Sequence, residues 1–168
     1  PDTRNVARRW MVGHVPAGAK VVVEPIVSGD WAHDVGRSLT ATTNGARWQI
    51  WNSSIADVDT AGNHLAAGEH RYVPVDEYER TLRPELLTEY ANAGYCWVVI
   101  GSLQAGRSFA QPKIAPPAIA YYAQLANHAR LMYHISPFAH TSRAVPFGFD
   151  WAIDYYPSQY AHPGPEMS

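Results

Sequence analysis

The apolar run Tyr95-Cys96-Trp97-Val98-Val99-Ile100, set between Gly94 and Gly101-Ser102, constrains this chain more than any other feature. A short apolar segment closed by turn residues reads as a strand buried on both faces, and such strands belong to parallel sheets covered by helices. Residues 76–92 precede it and hold Leu86, Leu87 and Tyr90 at helical spacing, which predicts helix, Gly94 turn, strand. That order is half of an α/β unit and excludes a sandwich or barrel.

Two more segments repeat the order. Asp2 or Thr3 can cap a first helix with Val6, Trp10 and Met11 on one face and Arg4 and Arg8 on another. Pro16-Ala17-Gly18 then turns the chain into the β-branched strand Lys20-Val21-Val22-Val23-Glu24. Further on, Pro116-Pro117 opens a helix with Ile119, Tyr122, Leu125 and Ala126 as its stripe, and residues 130–136 read as a third strand. The expectation is an α/β fold, a three-layer Rossmann-like sheet, mostly parallel, with long irregular loops. The loops are residues 25–76, with strand-like pieces at 47–51 and 70–75, residues 103–115, and an aromatic and proline-rich tail from Pro146.

With 168 residues, 46% hydrophobic and 17% charged, the chain has enough apolar material for a sizeable core in one domain. A net charge of -2 with 13 scattered basic residues gives no patch for phosphate neutralisation, so nucleic acid is not expected as a partner. Cys96 is expected inside the buried strand, as a small hydrophobe with no internal disulfide partner. No apolar run reaches membrane length, and Pro1-Asp2-Thr3-Arg4 lacks the regions of a signal peptide. Both ends look cut, so residues 1–168 read as a single soluble domain excised from the C-terminus of a longer protein.

Most chemical motifs fail on spacing. Eight histidines include no helical zinc pair, and His33 beside Asp34 is the nearest approach to one. Asp57-Val58-Asp59-Thr60-Ala61-Gly62-Asn63 begins like a calcium loop, but Ala61 and Gly68 fall where ligands are required, so a turn is expected. Ser102 lacks the flanking glycines of a nucleophile elbow, and no glycine-rich loop follows a strand. Neither a metal nor a cofactor is therefore expected. Open α/β sheets bind ligands at the C-terminal ends of their strands, where Glu24, Asp30 and Asp34 lie after the first strand. Six Trp and ten Tyr add flat faces, with Trp31, Trp48, Trp51, Trp151, Tyr155 and Tyr156 beside polar residues, as sugar rings require. The expected ligand-binding set is Glu24, Asp30, Trp31, Asp34, Trp151 and Tyr155. For any one aromatic, pinning a long loop is an equal alternative.

Several segments, taken in order, resemble a known family: Asp2-Thr3-Arg4, Pro16-Ala17-Gly18-Ala19-Lys20-Val21, Tyr78-Glu79-Arg80-Thr81-Leu82-Arg83-Pro84, Gly94-Tyr95-Cys96-Trp97-Val98-Val99, Phe149-Asp150-Trp151 with Tyr155-Tyr156-Pro157, and Pro163-Gly164-Pro165-Glu166. The chain resembles the C-terminal soluble domain of actinobacterial membrane glycosyltransferases, polytopic GT-C enzymes similar to dolichyl-phosphate-mannose protein mannosyltransferases. The resemblance implies a domain on the extracytoplasmic face of the cell membrane, joined to transmembrane helices outside this chain and assisting binding of a glycan or polyprenyl-linked acceptor. It also implies that the catalytic acid of the enzyme lies elsewhere, so that no residue here is catalytic. Two readings stand beside it: an independent hydrolase using Glu24 with Asp30 or Asp34, and a pure carbohydrate-binding or interaction module.

Overall fold

The computed structural model of the protein describes residues 2–27, 29–33, 46–136 and 167–168. The first helix, α1 (Thr3–His14), is capped by Asp2, whose carboxylate accepts from the Arg4 N–H at 2.8 Å. It buries Thr3, Ala7 and Met11, while Trp10 is half-buried. Gly18, at a φ of 82°, makes the turn into β1 (Lys20–Val23).

Strand β1 is the axis of the sheet. It pairs in parallel with β2 (Gln49–Ile50) on one side, and on the other with Trp97–Val99, the fifth strand in chain order. A hairpin of β3 (Ile55–Ala56) and β4 (Arg71–Tyr72) lies apart from it, and the Trp97–Val99 strand is β5. Successive side chains of a strand point to opposite faces, and β1 obeys this strictly. Val22 packs with Tyr78, Leu82, Leu86, Tyr90, Tyr121 and Tyr122, whereas Val21 and Val23 pack with Met11, Trp31, Trp48 and Leu103. The fold is α/β with a small, mostly parallel sheet, as the sequence predicts.

Four expectations are corrected. The strand buried on both faces is β1 and not β5, for Cys96 is exposed, Trp97 and Val98 are half-buried, and only Val99 is buried. Beyond β5, among the described residues, Ile100 pairs with Ser168 through hydrogen bonds of 2.8 and 3.0 Å. Residues 130–136 form no strand: Ile135 makes a single antiparallel bridge with Met167, and Leu131 and Met132 are exposed. The helix expected over 76–92 is split ahead of Pro84, which has no N–H: Leu82 is extended, with a ψ of 127°. A 3-10 helix (Val75–Thr81) comes before the break and α2 (Glu85–Asn92) after it. Residues 103–115, expected to be irregular, contain α3 (Ser102–Ala110), which buries Leu103, Gln104, Gly106 and Ser108. Its inner face is half polar, so it carries no apolar stripe. The last helix, α4 (Pro116–His128), opens on proline as expected and buries Ala118, Tyr121, Tyr122 and Leu125.

Because Val22 has no exposed surface, Val22→Asp leaves an unpaired charge between two layers, at a cost of several kcal/mol, comparable to a domain's whole stability. Cooperative thermal unfolding should be lost in Val22→Asp and kept within a degree or two in Cys96→Ser. A folded Val22→Asp protein would refute the placement of β1.

Candidate functional site

Glu24 continues β1, its N–H donating to the Val99 carbonyl at 3.1 Å, and its side chain points to the Val22 face. It has no exposed surface. One carboxyl oxygen meets the Tyr122 hydroxyl at 2.5 Å, and the other accepts from the Gly101 N–H at 2.9 Å. Gly101 caps the N-terminus of α3, so the carboxyl group satisfies one of that helix's orphan donors. A side chain at Gly101 would collide with the Ile26 side chain, which closes this end of the strand further. Burial pushes the Glu24 carboxyl up to about 7, against the pull of its bonds to Tyr122 and Gly101. Both oxygens are engaged and sealed from solvent, so Glu24 ties β1 to α3 and α4 and offers nothing to a ligand.

Trp31 is buried on the opposite face, against Trp48 at 5.6 Å, and its indole N–H donates to the Arg4 carbonyl at 3.1 Å. Glu24 and Trp31 are therefore not brought together. Asp30 lies in the short 3-10 helix Gly29–Ala32, with its side chain outside the described residues. Asp34, Trp151 and Tyr155 also lie outside the described residues. Among the described residues no three His, Cys, Asp or Glu side chains gather as metal ligands. The 57–63 segment is a turn: Asp59 accepts from the Ala61 and Asn63 N–H groups and from the Asn63 amide, and these bonds, the Asn63 amide first, hold its carboxyl below the usual range.

The accessible, chemically furnished site lies at the β2 side of the sheet. A cavity of about 470 Å³ opens between the residues after β2, the β3–β4 hairpin and α2. Trp51, directly after β2, is its main wall. Tyr90 from α2 and Tyr95 after the Gly94 turn meet Trp51 nearly at right angles, at ring separations of 4.9 and 5.1 Å. The charged side consists of Arg83, Asp57 and Glu89. Arg83 is 8% exposed, and its Nη2 donates to Asp57 at 3.0 Å and to Glu89 at 2.9 Å. Its Nε is buried without an acceptor. The two carboxylates remain about two-fifths exposed, with side-chain exposures of 43% and 42%. His70 and Asn52 also line the cavity, and His64 stands 3.5 Å from Asp57. A buried guanidinium holding two half-open carboxylates beside a corner of aromatic rings can stack one apolar face and hydrogen-bond a polar edge. A second cavity, about 1080 Å³ beside β5, is walled mainly by apolar side chains such as Trp97, Leu125 and Leu131, with no Asp or Glu among its lining residues.

Of this site, the sequence marks only Trp51, as an aromatic in a short strand beside polar residues. Asp57 stands in the failed calcium motif and Tyr90 in a helical stripe, while Arg83 meets Asp57 across 26 residues of chain. The local sign was Arg83-Pro84 itself, a cation at a helix break with Glu89 one turn and a half further on. Comparison with known protein families, with characterised proteins and with solved structures finds no match to this chain.

Glu24 gives the domain a pH dependence with a definite sign. The folded state holds this proton at pH values where the unfolded chain, with an ordinary carboxyl near 4.5, has released it. Stability therefore falls as pH rises from about 4.5 to about 7, by roughly 3 kcal/mol, and this contribution is level above and below that window. Urea unfolding across pH 4–8 should show the decline in the parent protein and a flatter profile in Glu24→Gln. Equal slopes in the two proteins would show that Glu24 does not carry it.

Proposed function

We propose that this chain is a carbohydrate-binding accessory domain of a GT-C membrane glycosyltransferase, facing the extracytoplasmic side, where the enzyme uses a polyprenyl-phosphate sugar. In this reading the sheet with its helices is a three-layer, Rossmann-like domain, non-catalytic alone, joined to the membrane through helices outside the chain. The observation that carries the binding role is the Trp51–Tyr90–Tyr95 corner beside the Arg83–Asp57–Glu89 cluster. The glycosyltransferase setting rests on the order of sequence motifs. Its partner is a glycan or a polyprenyl-linked sugar acceptor. The hydrolase reading loses its support, because Glu24 is sealed and cannot reach a glycosidic oxygen.

Titration with short mannose, arabinose or galactose oligomers should shift amide signals around Trp51, Tyr95 and Glu89, with a Kd around millimolar, since an open corner buries little ligand surface. Trp51→Ala should weaken binding by about tenfold or more, the loss of one stacking face. If sugars shift none of these signals, the binding role falls. The purified domain should release no sugar from aryl glycosides. The location has its own check in Cys96, which is exposed. In intact cells making the full-length protein, a membrane-impermeant maleimide should label the parent more than Cys96→Ser, and labelling only after lysis would contradict an extracytoplasmic face.

A further inference from the structure

The sugar reading of the cavity leaves open which sugars it accepts, and the charges on its polar side narrow the choice. Arg83 supplies one positive charge against the two negative charges of Asp57 and Glu89. A carboxylated or phosphorylated sugar entering here meets a surplus of like charge, with the only guanidinium of the cluster already shared. Two acceptors that share one donor nitrogen stand close enough for adjacent hydroxyls of one ring to reach both. Half-exposed, each carboxylate keeps lone pairs for a hydroxyl proton.

We infer that the cavity selects a neutral sugar ring bearing two adjacent free hydroxyls, with Asp57 and Glu89 accepting from them and Arg83 as the positioning residue for both carboxylates. The ring's apolar face packs in the corner made by Trp51 and Tyr95. This inference rests on the carbohydrate reading of the cavity. It adds discrimination against acidic and phosphorylated sugars, which stacking alone does not give.

The test is a set of NMR titrations with methyl mannoside, methyl galactoside, a methyl glycoside lacking one of the adjacent hydroxyls, methyl glucuronide and mannose 6-phosphate. The neutral glycosides should shift Trp51 signals at the lowest concentrations, with the deoxy compound and both anions about tenfold weaker. Higher salt should narrow the gap for the anions and leave that for the deoxy compound unchanged. Glu89→Gln removes one charge at a half-exposed position, so it should bring the glucuronide closer to the neutral sugars. Arg83→Lys keeps the charge, but its ammonium stops one bond short of the Nη2 that holds both carboxylates, and should weaken the neutral glycosides several-fold. Should Arg83→Lys fail to fold, the Glu89→Gln ratio decides. Equal or tighter binding of the anions at Trp51 overturns the selectivity and leaves the sugar site standing. No shift at Trp51 with any of the five compounds overturns the sugar site as well.

Discussion

The carboxyl group of Glu24 is the point on which the architecture turns. A short strand buried on both faces needs something to fix where it stops, because a valine run alone permits slippage along its neighbours. Glu24 supplies that stop by bonding Gly101 at the start of α3 and Tyr122 in the middle of α4. Both helices are thereby indexed to the C-terminal end of β1. Its two oxygens accept from the Tyr122 hydroxyl and from the Gly101 N–H. Burial favours the neutral form and outweighs the two bonds, which favour the charged one, so the domain is most stable in mild acid.

The cavity follows from a second constraint, the break at Pro84. Were residues 76–92 one straight helix, Arg83 would sit within its barrel, and its direction would be set by the helix. The break instead puts Arg83 in the link between the 3-10 helix and α2, where its guanidinium reaches back to Asp57 on the hairpin side and forward to Glu89 on α2. The hairpin and α2 are thus joined by charge as well as by the core cluster they share. The site exists because that charge cluster stands next to Trp51, which β2 places beside Val22 by pairing with β1.

The legible parts of the fold were those with a single clear period. The capped first helix, the valine strand after Gly18 and the proline-led last helix all show in the sequence because local propensity and burial agree. Helix α3 did not, since Gln104 and Ser108 occupy buried positions where a stripe search wants apolar residues. Residues 130–136 misled for the opposite reason: Leu131 and Met132 are apolar and yet exposed, so hydrophobicity pointed to a ladder that does not form. In the run around Cys96 the sequence gives a strand but not its lateral neighbours, and those neighbours decide burial. The site was less legible than the fold, because its charged members come from three separate segments and no spacing rule joins them. The strand C-termini, where open sheets bind ligands, hold Glu24 and Trp31, which face opposite sides of the sheet and serve the core.

Weak binding is compatible with the proposed role because of tethering. A site with a millimolar Kd is nearly empty when free sugar is scarce. Attached to an enzyme that holds the same glycan elsewhere, it meets a local concentration that is itself about millimolar for a short flexible linkage. Occupancy would then approach one half without any improvement in contacts, with release still fast enough not to trap the glycan. An open corner of rings with half-exposed carboxylates suits that regime better than a closed pocket. In the proposed role it would add grip and selectivity to a glycan already held, whereas a closed pocket would order more side chains at greater entropic cost.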